Sequence, residues 1–265
     1  MTHAQIPDQI PVALTKLCHD AGVQLLYACE SGSRAWDMAS PDSDFDIRFV
    51  YLHPQPAYLA LDPPIESINQ LDGLLDYGGW ELRKTLGLLR QSNATVFEWL
   101  NSPMVYVEPQ PCIQQLQAAA EIYFSPRKVA HHYLGLTRKF IPRLEAETPR
   151  LKDFFYALRS LLCAQWVLTQ ESPPPLPLPE LLPLVSEPGF EAALGELLTA
   201  KRQAMEQALC PVPPIVMTWL RGQFLALETH ADELPVRQGD TAWLNQLFVD
   251  ALNAHQAPQN DSGGA

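Results

Sequence analysis

YACESGSRAWDMASPDSDFDIRFVYLH, running from Tyr27 to His53, reads as a strand, a tight Gly-Ser turn, a short helix, a loop and a second strand. The second strand, Asp44 to Leu52, opens with two acids, Asp44 and Asp46, one residue apart. Side chains alternate along a strand, so both acids are expected on one face. Like charges held together repel, and a divalent cation is the usual reason to place them so. Arg48 shares that face, where it can contact a phosphate or pair with the acids. The Gly32-Ser33 turn lets backbone N–H groups at a helix start approach phosphate oxygens, with the serine hydroxyl as a further donor. Ser33 also reads as the cap of a short helix through about Met38, and Arg34 as either a phosphate contact or a surface residue. A solvated loop edge is the plain alternative for the two acids, but FDIRFVYL is too apolar for one.

Working outward, Pro7 to Ala21 carries Ile10, Leu14, Leu17 and Cys18 at helical spacing, with Gly22 as its stop. Val23 to Cys29 is an apolar run suited to a strand. His53 to Pro64 holds four prolines and reads as a connector with at most one helical turn. Ile65 to Ile68 and Leu74 to Tyr77 are candidate strands. Gly78-Gly79 reads as a break, and Trp80 to Leu89 as a helix. Asn93 is the expected N-cap of a helix through Leu100, and Pro103 to Val107 a last short strand. Beyond Pro109 the pattern turns helical: Cys112 to Phe124, Arg127 to Glu147, Leu151 to Thr169, Gly189 to Leu209, Ile215 to Glu228 and Thr241 to Asn253. Ser172 to Pro179 interrupts these helices as a proline-rich connector. The expected organisation is α+β: a small mixed-sheet domain over 1–110, an all-helical domain over 111–255, and a polar, disordered tail over 256–265.

A formal net charge of −12 disfavours coating of long nucleic acid, which rests on neutralising phosphates. The charge is uneven, however. From Pro126 to Ser160 there are eight Lys or Arg against three Asp or Glu, a segment suited to a compact anion such as a triphosphate or one nucleic-acid end. Five scattered cysteines, none in C-x-x-C spacing, argue against a disulfide framework or a zinc site. The opening MTHAQIPDQIP has neither the basic nor the apolar region of a signal peptide, and no apolar run is long enough to cross a bilayer. A soluble, cytoplasmic protein without membrane partners is expected.

Gly-Ser followed after ten residues by Asp-Phe-Asp resembles the signature of the DNA polymerase β superfamily of nucleotidyltransferases. The fuller strings ESGSRAW, SPDSDFDIRF, GGWELRKTL and SNATVFEWLNSPMVY are similar to a bacterial branch associated with RNA repair and RNA ligase operons. The likeness runs from about Leu26 to Val107, with weaker echoes at Leu151 to Trp166 and in the proline-rich segment. It implies a polymerase β-like palm and Mg²⁺, as two ions or with Mn²⁺ in their place, held by Asp44 and Asp46. It also implies a third carboxylate from a neighbouring strand. Asp76, in a short apolar run before a helix, is the choice, with Asp72 and Glu66 as alternatives.

In the helical half Lys152, Tyr156 and Arg159 fall on one helix face. They can clamp a triphosphate, as related enzymes use a Lys and a Tyr, or form a solvated basic stripe. Trp80, Phe97 and Trp99 read as core, Ser92 and Asn93 as caps, and His131-His132 as a surface pair. The resemblance implies transfer of NMP from an NTP such as ATP to an acceptor, an RNA end. A protein acceptor, as in antitoxin-like enzymes that add AMP to a partner, is the alternative, and the acidic net charge favours it mildly. A non-catalytic nucleotide-binding module is a third reading.

Overall fold

A computed structural model describes residues 6–256 apart from 186, 188, 204 and 206. Helix α1 (Ile6–Asp20) leads through Gly22 into β1 (Gln24–Ser31), followed by the one-turn α2 (Gly32–Ala35) and β2 (Phe45–Leu52). The short α3 (Gln55–Leu59) then precedes the hairpin of β3 (Ser67–Asp72) and β4 (Leu75–Glu81), closed by Gly73 at φ +60°. Helices α4 (Leu82–Arg90) and α5 (Ala94–Leu100) and strand β5 (Val105–Val107) complete a sheet of order β3-β4-β2-β1-β5. β2 and β4 run parallel; the other neighbours are antiparallel.

Alternation along β2 separates two cores. Ile47, Phe49 and Tyr51 are buried with Ile10, Leu14 and Cys18 of α1. Val50 and Leu52 point to the other face, into a core shared with the helices that follow. Asp46 and Arg48 stand on that second face, at the end of the strand where the apolar cover stops. The polar site is thus the open end of a face that is otherwise packed.

Those helices are α6 (Pro111–Ala119), α7 (Pro126–Phe140), α8 (Leu151–Gln170), α9 (Leu178–Leu181), α10 (Phe190–Gln203), α11 (Pro214–His230) and α12 (Thr241–Gln256). α8 is the hub: Phe154, Phe155, Leu158, Leu161 and Leu162 are fully buried, and α7 packs along it. α12 returns to pack on α4 and α6, so the core is continuous from Leu26 in the sheet to Leu252. After Val107 the described residues form no further strand beyond an isolated bridge between Arg150 and Leu209. The tail expected over 256–265 lies outside the described residues, except for Gln256, which ends α12.

Four local expectations are corrected. Gly78-Gly79 does not break the chain but lies inside β4, because a Cβ on Gly79 would sit 2.3 Å from the Phe49 ring and one on Gly78 would sit 3.1 Å from the Arg48 guanidinium. Trp80 is therefore strand, and the helix starts at Leu82, capped by the Glu81 carboxylate, which accepts from Lys84 N at 3.0 Å. Ser33 is not a cap; it is buried inside α2, whose N-cap position is Ser31 and which ends at Ala35. Asp44 is not in the strand: β2 starts at Phe45, leaving Asp44 exposed at the end of the preceding loop. Asn93 is the N-cap expected, accepting from Thr95 N at 3.0 Å.

Candidate active site

Gly32 turns the chain out of β1 with φ +60°, a conformation that costs other residues about 1–2 kcal/mol. A Cβ there would sit 2.0 Å from Oδ2 of Asp46, so the turn needs glycine both for its backbone and for the close approach of that carboxylate. Asp46 stands in register with Asp76 across the parallel β2–β4 pair. Arg48 lies between them: its Nη2 donates to Asp46 Oδ1 and to Asp76 Oδ2, each at 2.8 Å, while Nη1 donates to the Asp76 carbonyl at 2.8 Å. Of the three acids considered for the third carboxylate, Asp76 is the one that faces Asp46. Asp72 pairs with Leu75 at the hairpin end of the sheet, and Glu66 is exposed just before β3.

Burial pushes the Asp46 carboxyl upward from its ordinary value, opposed by Arg48, reinforced by Asp76 and Asp44, and opposed again by Lys152. Behind it lies a carboxylate that the sequence reading passed over. Glu30 is fully buried, accepts from the backbone N of Asp46 at 2.8 Å, and accepts from the Tyr106 hydroxyl. Burial lifts its pKa to about 7 against those two hydrogen bonds. An acid inside the apolar strand YACES, two residues before Gly32, was the signal available. Asp44 is fixed through its backbone: Arg34 donates to the carbonyls of Asp44 and Ser43 at 3.0 and 2.6 Å and lies 3.8 Å over the Phe45 ring. Arg34 therefore fastens the loop that presents Asp44.

The helical half closes over this edge. Ser31, Gly32, Asp46 and Arg48 line one side of a cleft of about 380 Å³, and Lys139, Tyr156 and Arg159 line the other. Lys152 Nζ lies 5.5 Å from the Tyr156 ring, near enough for its charge to act on Asp46. Arg159 is buried rather than reaching for solvent; it donates to Glu98 Oε1 at 3.0 Å and to the Leu176 carbonyl at 3.1 Å. The expected clamp face thus divides, with Lys152 near the carboxylates and Arg159 at the back of the cleft. Trp80 and Trp99 stack on each other at 3.8 Å, as core. His131 pairs with Asp232 at 2.9 Å, and His132 stands exposed at the cleft mouth.

Among the described residues no three His, Cys, Asp or Glu side chains enclose a metal position. The donor chemistry nevertheless fits a hard divalent cation: two carboxylates on adjacent strands converge on one positive group, the Arg48 guanidinium, and the Asp44 charge acts on Asp46.

A glycine turn and facing acids on adjacent strands, covered by helices, define a polymerase β-like nucleotidyltransferase. The chain belongs to the RNA repair pathway DNA polymerase beta family, whose model matches residues 6–250. It is 33% identical over 243 residues, 90% of this chain and 94% of the relative, to the uncharacterized protein YcgL of Bacillus subtilis (strain 168). Among solved structures it matches a nucleotidyltransferase-like protein from Exiguobacterium sibiricum 255-15 at 11% identity, with a TM-score of 0.29, covering 95% of this chain and 81% of the other. No described helix is long and apolar enough to cross a membrane.

Proposed function

We propose that the protein transfers a nucleoside monophosphate from an NTP to the hydroxyl of an RNA end, with Mg²⁺ held by Asp44, Asp46 and Asp76. The observation that carries this reading is the Asp46–Asp76 pair, whose Asp46 lines a cleft together with Gly32 and Tyr156. The RNA acceptor is supported by the family's description as an RNA repair pathway. A bound divalent cation would supply charge to stabilise the pyrophosphate leaving group and the attacking oxygen. The chain's own groups do the positioning. Gly32 brings bare backbone against the site, Lys152 places a positive charge toward the triphosphate, and Asp76 orients the acceptor hydroxyl. The acceptor oxygen bonds to the α-phosphorus as the bond to the bridging oxygen of pyrophosphate breaks; the hydroxyl proton leaves through Asp76 to solvent. Arg48 keeps the two carboxylates balanced in the unliganded protein, and Glu30 fixes the backbone of Asp46 from behind.

The test is incorporation of labelled NTP into RNA by wild type, Asp46→Ala and Asp76→Ala, with circular dichroism to check folding. Loss of incorporation in folded variants supports the reading; full activity in either overturns the assigned roles. The net charge of −12 keeps a protein acceptor in view. Label moving onto a protein band in cell lysate, with RNA left unlabelled, would replace the acceptor and leave the site as assigned.

A further inference from the structure

The inner end of the cleft is built differently from its acidic edge. Trp36, the residue after α2, meets Tyr156 of α8 edge-on at 5.3 Å between ring centroids. Phe140, at the end of α7, lies 5.5 Å from Tyr156 on a tilted plane. Arg159 covers the Trp36 ring at 4.1 Å. Among the described residues no acceptor reaches two N–H donors in this wall: Trp36 Nε1 and Arg159 Nη2 are both shut off from solvent without a hydrogen bond. The other nitrogens of Arg159 are held, Nε by the Leu176 carbonyl and Nη1 by Glu98. On the acceptor side, the Tyr133 hydroxyl and Arg159 Nη1 both donate to Oε1 of Glu98, and no described donor reaches Oε2.

Buried donors are normally satisfied, and one left bare keeps its desolvation cost without a hydrogen bond to offset it. Two of them, beside a carboxylate with one oxygen unused, in an aromatic-walled cleft that also holds Asp46, point to a ligand carrying paired acceptors and donors on a flat ring. The cleft's volume of about 380 Å³ suits a small ligand.

Resting on the transfer reading above, we propose that this wall is a guanine-reading pocket. The Tyr156–Phe140 pair forms one wall beside the base of the bound NTP; Trp36 Nε1 and Arg159 Nη2, covered in the free protein, turn to donate to its acceptors, and Glu98 Oε2 accepts from its N–H groups. Guanine carries two adjacent acceptors, O6 and N7, and two adjacent donors, N1–H and N2–H₂, which matches two bare donors beside one bare carboxylate oxygen. Adenine and uracil alternate acceptor and donor along their edges. Cytosine has two acceptors beside a donor but only one ring to set against the aromatic walls.

The experiment measures binding of the four NTPs, as α,β-methylene analogues with Mg²⁺, and of inorganic tripolyphosphate, to wild type, Trp36→Phe and Glu98→Gln. Trp36→Phe keeps a ring and removes only the indole donor, so it answers even where Glu98→Gln fails to fold. The expected result is guanosine bound about tenfold or more tighter than the other three. Trp36→Phe is expected to narrow that preference while tripolyphosphate affinity stays unchanged. Equal binding of all four bases, a preference for another base, or a guanine preference indifferent to Trp36→Phe overturns the pocket and leaves the transfer reading standing. Absence of any nucleotide binding overturns both.

Discussion

Replacing Gly32 with alanine tests the geometry of the site through its tightest contact. The backbone at φ +60° costs alanine about 1–2 kcal/mol. The new methyl would sit 2.0 Å from Oδ2 and 2.8 Å from Cγ of Asp46, so the carboxylate must move. That carboxylate is tied to Arg48 at 2.8 Å, and losing the contact adds about 1–2 kcal/mol. The sum, ~2–4 kcal/mol, corresponds to a fall in Tm of roughly 5–15 °C for a chain of this size. Asp46→Ala leaves only its Cβ, 3.3 Å from the added methyl, so in that background Gly32→Ala is expected to lose the second part of its penalty. Urea unfolding of wild type, both single variants and the double variant gives the coupling directly. A Gly32→Ala penalty of the same size in both backgrounds would refute the close approach of Gly32 to Asp46.

Glu30 predicts a pH signature. Its carboxyl is lifted from 4.5 to about 7, so the folded protein binds more protons than the unfolded chain across that window, and stability falls as pH rises through it, by ~3 kcal/mol in total. Glu30→Gln, which keeps an acceptor for Asp46 N, is expected to flatten the decline in unfolding free energy between pH 5 and 7; an unchanged slope counts against the assignment. Gly79→Ala drives a methyl into the Phe49 ring at 2.3 Å inside a central strand, and denaturant unfolding should register a loss of about 1–3 kcal/mol, relieved by Phe49→Leu. Arg48→Ala removes the cation shared by Asp46 and Asp76. In thermal melts Mg²⁺ is then expected to stabilise the variant more than wild type, and an equal or smaller shift argues against those carboxylates as its ligands.

The order of elements around the site was legible because its signals are local. Glycine and serine mark the turn, alternation marks β2, and Asn93 caps α5 with its own side chain. What escaped depends on partners distant in sequence. Gly78-Gly79 read as a break because glycine is poor in strands. Its reason for being there is the space taken by Phe49 and Arg48 on the parallel neighbour, and a single sequence does not display that register. Arg159 sat on the right helix face for a phosphate clamp. Glu98, 61 residues earlier, holds it in the cleft wall instead, and nothing near Arg159 in the chain announces that acid. Asp76 was chosen from its place before a helix, but its position opposite Asp46 comes from the β2–β4 pairing. Glu30 was overlooked because the same strand that hides its carboxylate made the stretch read as plain core.

Transfer of a nucleotidyl group from this cleft can be followed in parallel reactions with α-labelled and γ-labelled NTP. With RNA as acceptor, α-label is expected to enter the RNA, γ-label to leave as pyrophosphate in equal amount, and Asp46→Ala to stop both. Gamma-label appearing on the acceptor, or release of inorganic phosphate without α-label transfer, would contradict it.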